Sequence, residues 1–215
     1  MKNNEKKDDT IKIILLGASG VGKTNLINVF LGLEFNEYTE SNSASSFEQS
    51  INYKDKTYIY YIWDTAGQEK YRAVNKIFIR GAKIVLIVYA IDNRNSFNEV
   101  DYWINMVKES LPDGKYIMAL VANKIDLYEK QVVIDEEGEN AAKKYGIEFI
   151  TTSALTGADL FKNFINKLII NYIESTEEKG EGNKKKKKDN FKINNNNNNG
   201  DNNNNNQNLN KKACC

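Results

Sequence analysis

Gly17-Ala18-Ser19-Gly20-Val21-Gly22-Lys23-Thr24 is the stretch whose reading decides the fold. It fits the phosphate-binding pattern G-x-x-x-x-G-K-[ST], and its flanks have the right character. An apolar run, Ile11 to Leu16, enters it as a buried strand would, and a helical pattern over residues 25–31 leaves it. Gly17, Gly20 and Gly22 let the backbone turn with N–H groups pointing inward, with Ala18, Ser19 and Val21 completing the cradle. The N-terminus of the following helix adds positive potential. Lys23 can then reach the β- and γ-phosphates, and the Thr24 hydroxyl can ligate Mg²⁺. A glycine turn followed by chance by Lys-Thr is the plainer reading, and the strand–loop–helix setting weighs against it. The pattern implies a nucleoside triphosphate.

Working outward, the 215 residues suit one domain plus a tail. Up to about Ile173 the chain is rich in Ile, Val, Leu, Phe and Tyr, enough for one substantial core. From Glu174 it turns to Glu, Lys, Asn and Gly, a composition that cannot offset its own ordering entropy. The expected organisation is therefore an extension over 1–9, a folded domain over 10–173, and a disordered tail over 174–215. The net charge of +1 conceals a basic tail and a slightly acidic domain. No secretory signal precedes the first strand, and the longest apolar run, 84–91, is strand-sized, so a cytosolic chain is expected. The two cysteines, Cys214 and Cys215, are adjacent, which suits neither an ordinary disulfide nor, without histidine, a metal site.

Strands are expected over 12–16, 47–53, 58–63, 83–90, 116–122 and 148–152. The second and third are separated by a short polar spacer, Lys54-Asp55-Lys56-Thr57, which suggests a hairpin. Helices are expected over 24–31, 71–80, 96–111, 135–145 and 159–172, with Ser96 and Glu99 bracketing a capping box in the third. Phe97, Val100, Ile104 and Val107 recur there at helical spacing and are core. The alternation implies an α/β fold of the P-loop NTPase type. Its six-stranded sheet is mostly parallel, with one antiparallel strand and helices on both faces. Ligands in such sheets sit outside the carboxyl ends of the strands.

Every further candidate follows a strand. Asp64-Thr65-Ala66-Gly67-Gln68-Glu69 comes after the third. The Asp64 carboxylate suits Mg²⁺ through a water, since Mg²⁺ keeps most of its hydration. Gly67 offers an unobstructed N–H to a γ-phosphate, and Gln68 can orient a water for in-line attack. Asn123-Lys124-Ile125-Asp126 follows the fifth strand. A carboxylate at Asp126 that accepts two N–H bonds favours guanine over adenine; Asn123 can bond the base and hold the loop, and the Lys124 stem can cover a ring face. After the sixth strand, Ser153, Ala154 and Leu155 supply backbone N–H groups for the guanine O6.

With these loops in place the chain resembles a small GTPase of the Ras superfamily, and within it the Rab family, over about residues 10–173. The stretch Ile62-Trp63-Asp64-Thr65-Ala66-Gly67-Gln68-Glu69-Lys70-Tyr71, then Arg80-Gly81-Ala82 and a Cys-Cys end, is particular to Rab. The resemblance implies a switch that binds GTP with Mg²⁺ and hydrolyses it slowly to GDP unless an activating protein assists. It places Phe35 against the guanine. It implies an exchange factor, a GTPase-activating protein, an escort protein, a GDP-dissociation inhibitor and effectors as partners. A monomer with no nucleic-acid partner is expected, working in vesicle trafficking on the cytoplasmic face of a membrane and cycling with the cytosol. A weakly switching scaffold that recruits partners is the alternative.

The Cys-Cys end implies geranylgeranyl groups on Cys214 and Cys215; one lipid gives marginal binding, whereas two give stable anchoring. Lys211 and Lys212 lie beside them, and the lysine run at 184–188 is either a second membrane patch, a solvated linker or an import-like string. As a flexible tether the tail would span roughly 35 Å. The first switch departs from the family pattern: anchored on Phe47, the Mg²⁺-binding Thr is Asn42 and the following Gly is Ala44. Either Asn42 serves as a poorer metal ligand and the loop is ordered less firmly by GTP, or Thr39, Ser41 or Ser43 substitutes. Phe78-Ile79 and Ala90 are smaller departures. Restoring the family residue with Asn42→Thr is expected to sharpen the Mg²⁺ dependence of hydrolysis; identical profiles for the two proteins would remove the weakened-switch reading.

Overall fold

Strand β1 (Ile11–Leu16) is apolar on both faces, and that alternation organises the molecule. In the computed structural model, which describes residues 10–37, 44–65 and 72–194, Ile11, Ile13 and Leu15 enter one core while Ile14 and Leu16 enter another. β4 (Ile84–Ala90) repeats the pattern, buried at every residue, as a central parallel strand covered on both sides must be. The other strands are β2 (Ser45–Tyr53), β3 (Lys56–Asp64), β5 (Ile117–Asn123) and β6 (Glu148–Thr151). They form one six-stranded sheet in the order β2-β3-β1-β4-β5-β6, parallel throughout except for β2 against β3.

Helices α1 (Lys23–Phe30) and α6 (Ala158–Asn194) cover one face; α2 (Arg72–Ile79), α3 (Arg94–Asn98), α4 (Val100–Ser110) and α5 (Asp135–Tyr145) cover the other. On α6 the core stripe is Phe161, Phe164, Ile165, Leu168, Ile169 and Ile173, spaced by three and four residues. Each such side chain stabilises the fold by about 1.5–3 kcal/mol on burial. The expected fold class is the one observed.

Several local expectations are corrected. The β2–β3 turn is only Lys54-Asp55, with φ of 46° and 60°, so the ladder runs to the Tyr53–Lys56 pair instead of stopping at a four-residue spacer. Two left-handed residues in succession match the twist of an antiparallel hairpin. The single helix over 96–111 is two, with Glu99 between them, and Ser96 does not cap it. Asn93 caps α3 by accepting from the Ser96 N–H, while the buried Ser96 hydroxyl donates to the Asn93 carbonyl at 2.7 Å. A 3₁₀ segment, Ile125–Lys130, follows β5 where no element was expected.

The chain divides into a unit ending at Glu174 and another beginning at Ser175. Disorder was expected from residue 174, yet the backbone is helical to Asn194. Glu and Lys are good helix formers and the stretch has no proline; its glycines, Gly180 and Gly182, weaken the helix without breaking it. Residues 195–215, with the asparagine tracts and Cys214-Cys215, lie outside the described residues. Within the first unit the hairpin tip meets the end of the domain: the Tyr53 hydroxyl donates to Glu174, and the Lys54 ammonium lies 3.5 Å from the same oxygen.

On the α5 side the packing is closest at Gly138. A Cβ there would stand 2.3 Å from the Tyr89 hydroxyl and 2.6 Å from the Phe149 ring. Burial pushes the Tyr89 hydroxyl pKa far up, and this hydroxyl has no hydrogen-bond partner among the described residues. A mid-helix Gly→Ala change ordinarily stabilises by about 1 kcal/mol. Here overpacking reverses the sign: Gly138→Ala is expected to lower stability by about 1–3 kcal/mol in denaturant unfolding. A gain in stability would show that α5 can back away from the sheet.

Candidate nucleotide-binding site

The chain leaves β1 toward β3 and leaves β4 toward β5, so a crevice opens at the carboxyl ends of β1 and β4. The loop Gly17–Thr24 lies there. At Gly17, φ is 145° and a Cβ would fall 2.1 Å from the Val88 carbonyl oxygen of β4, so only glycine lets the loop rest against its neighbour. At Gly22, φ is 95° and a Cβ would lie 2.4 Å from the Asn123 amide nitrogen. Gly22 is also the N-cap of α1, and it brings no side chain to the first-turn N–H groups. Those donors and the positive end of the helix dipole therefore favour an anion. Lys23 is 3% exposed, and its ammonium donates to the carbonyls of Gly17 (3.0 Å) and Ala18 (2.9 Å). A buried cation thus sits against the carbonyls at the start of the Gly17–Thr24 loop.

Asp64 ends β3. The parallel pairing of Ile14 with Trp63 sets it beside the last residues of β1. The Thr65 hydroxyl donates to the Leu15 carbonyl at 2.6 Å, which fixes this strand end next to the phosphate loop. Asp64 is 3% exposed, and Thr24 is the second residue of α1. Both offer hard oxygen donors of the kind Mg²⁺ prefers, so the residues fit that ion. Among the described residues no group of three or more His, Cys, Asp or Glu is arranged to hold a metal unaided.

The third wall comes from β5 and β6. Asn123, 1% exposed, uses both ends of its amide: Nδ2 donates to the Val21 carbonyl at 2.8 Å, and Oδ1 accepts from the Ala154 N–H at 3.2 Å. One side chain thus joins the phosphate loop, the loop after β5 and the loop after β6. Lys124 follows with φ of 68° and pairs with Asp92 at 3.7 Å. Asp126 accepts from the Ser153 hydroxyl, whose oxygen in turn accepts from the N–H groups of Leu155 (3.0 Å) and Thr156 (3.2 Å). The N–H groups of Ala154 and Leu155, expected to face a base oxygen, are engaged by these side chains. Phe35 lies in the segment after α1, 37% exposed.

Gly67, Gln68 and Asn42 lie outside the described residues. Sequence reading missed the ties that hold the site: the Thr65 hydroxyl, the Val21 carbonyl, the Ser153 bridge and Asp92. Asp92 alone carried a usable signal, being a charged residue just past the carboxyl end of a central strand.

Residues 12–173 match the model of the Ras family. The chain is 37% identical over 158 residues to the Ras-related protein Rab2BV of Beta vulgaris, covering 73% of each chain. It is equally similar, 37% over 158 residues and 73% of each chain, to the Ras-related protein RABA2b of Arabidopsis thaliana. The Arabidopsis thaliana protein RABA2c is 36% identical over 162 residues, 75% of this chain and 74% of its own. The chain belongs to the Rab branch of the Ras family. As a Ras-family GTPase it hydrolyses GTP to GDP. The Asn123 bridge makes the loops after β1, β5 and β6 one structure. Asn123→Ala leaves the Val21 carbonyl and Ala154 N–H buried without partners. It is expected to lower stability by about 2–4 kcal/mol and to speed GDP release at least about tenfold. Unchanged release, measured with labelled GDP, would show that the bridge does not shape the site.

Proposed function

We propose that this GTPase is a membrane-trafficking switch whose nucleotide site is built from the residues above. The observation that carries the reading is the convergence, through Asn123, of a phosphate cradle holding a buried lysine with two loops suited to a guanine edge. Lys23 and the backbone N–H groups of the Gly17–Thr24 loop bind the phosphates. Asp126 accepts from the base, Lys124 and Phe35 cover its faces, and Ala154 approaches its oxygen while sharing its N–H with Asn123. Gln68 orients the attacking water, with Gly67 beside the γ-phosphate. When bound, Mg²⁺ would neutralise charge on the phosphate oxygens; Thr24 and Asp64, with Asn42 as a further candidate, are the residues to hold it.

Arg94 is engaged elsewhere: it pairs with Glu137 and donates to the Val132 carbonyl. Arg94 is thereby not free to stabilise charge on the transferred phosphoryl group, and in this reading hydrolysis is slow until an activating protein supplies that stabilisation. An exchange factor reverses the cycle. Among the described residues no helix is long and apolar enough to cross a membrane. Attachment falls to geranylgeranyl groups on Cys214 and Cys215, added with an escort protein and shielded by a GDP-dissociation inhibitor, with tail lysines favouring an anionic leaflet.

The second reading, a scaffold indifferent to hydrolysis, is favoured by Asn42 at the family's threonine position. Partner recovery from cell extract separates the two. Protein loaded with a non-hydrolysable GTP analogue is expected to retain effectors that the GDP form does not. Equal recovery would establish the scaffold instead. In the same cells, replacing Cys214 and Cys215 with Ser is expected to move the protein from the membrane fraction to the soluble one; unchanged partition would remove the lipid anchor.

A further inference from the structure

Two residues beyond β4, Asp92 stands on the same edge of the sheet as the loop after β5. The backbone around it is tied to that loop. The Ile91 N–H donates to the Asn123 carbonyl at 3.1 Å, and the Ile91 carbonyl accepts from Val132 (2.9 Å) and Val133 (3.1 Å). One Asp92 oxygen, Oδ2, lies 3.7 Å from the Lys124 ammonium, with the two side chains 21% and 30% exposed. The other, Oδ1, is buried and has no hydrogen-bond partner among the described residues. A largely buried carboxylate with one oxygen shut away from donors depends on a nearby cation for compensation, and Lys124 is that cation. Lys124 is constrained in turn. Its backbone is left-handed, an uncommon state for a residue with a side chain, which fixes the direction in which the stem departs.

We propose that Asp92 is a positioning residue for nucleotide binding: it draws the Lys124 ammonium past the base-reading loop and so lays the aliphatic stem where the guanine ring is held. The inference rests on the reading of Lys124 as a cover for the base. Asp92 touches no substrate and acts through Lys124 alone. A long, flexible side chain must lose rotamer freedom to cover a ring, and the ion pair removes that freedom before the nucleotide arrives.

The test is the rate of radiolabelled GDP release from the full-length protein. D92N is expected to release GDP about two- to fivefold faster than wild type, the range of a partly exposed ion pair. Asp92→Glu, which keeps the charge, should restore most of the difference. Combined with Lys124→Ala, D92N should add nothing to the effect of Lys124→Ala alone. Raising salt from about 50 mM to about 500 mM should narrow the gap between wild type and D92N only modestly, because a partly buried pair is screened less than an exposed one. Wild-type release by D92N would overturn the proposal. So would an equal acceleration in the Lys124→Ala background, the sign of a structural role in the β4–α3 loop. If Lys124→Ala is silent while Asp126→Ala accelerates release, Lys124 does not cover the base and the proposal falls with that role. If both are silent, the base site itself is wrongly placed.

Discussion

The Asn123 amide is the interaction on which the site depends. Its two polar ends are both buried and both bonded, one to the carbonyl of Val21 and one to the N–H of Ala154. Three segments distant in sequence are thereby held in one arrangement. No other residue type offers a donor and an acceptor at that spacing on so short a stem. A carboxylate would present two acceptors, one of them against a carbonyl, and a longer Gln would overrun the space already filled by Gly22. Residue choice at Asn123 and at Gly22 is therefore a single choice.

The sheet makes that arrangement possible. β1 and β4 are buried on both faces, so neither can slip by one residue without moving every apolar side chain from one core to the other. With the two strands locked, the Val88 carbonyl is a fixed wall against which Gly17 must turn, and Asp64 and Asn123 arrive at fixed heights at the ends of β3 and β5. The loops look irregular, but each begins from a strand end whose position is set by the two cores.

What could be read in the chain was what has a period or a motif. The largely apolar run at Ile11 to Leu16, the three- and four-residue spacing of the α6 stripe and the eight-residue phosphate loop each led to the element observed. Misreadings came where a polar residue had two possible partners. Ser96 fits a helix cap in sequence but is buried between the Ala90 and Asn93 backbones; Asn93, three residues earlier, does the capping. Lys56 and Thr57 read as turn but extend β3, because the left-handed pair Lys54-Asp55 closes the hairpin in two residues. The stretch after Glu174 is poor in apolar residues, and its helix formers run a regular backbone to Asn194. Contacts such as Asp92 with Lys124 join residues more than thirty positions apart and have no signature along the chain.

The clasp between the hairpin tip and Glu174 has a mechanical consequence. Tyr53 and Lys54 grip the last residue of the folded unit, at the point where the rest of the chain departs. Tension applied there is borne partly by the turn between β2 and β3, not only by the apolar stripe of α6. β2 is an edge strand, paired among the described residues with β3 alone, so a stronger grip would pass the load into it and peel it hydrogen bond by hydrogen bond. The grip itself is exposed and weak, which makes it a fuse: it parts at low force, before the sheet is disturbed.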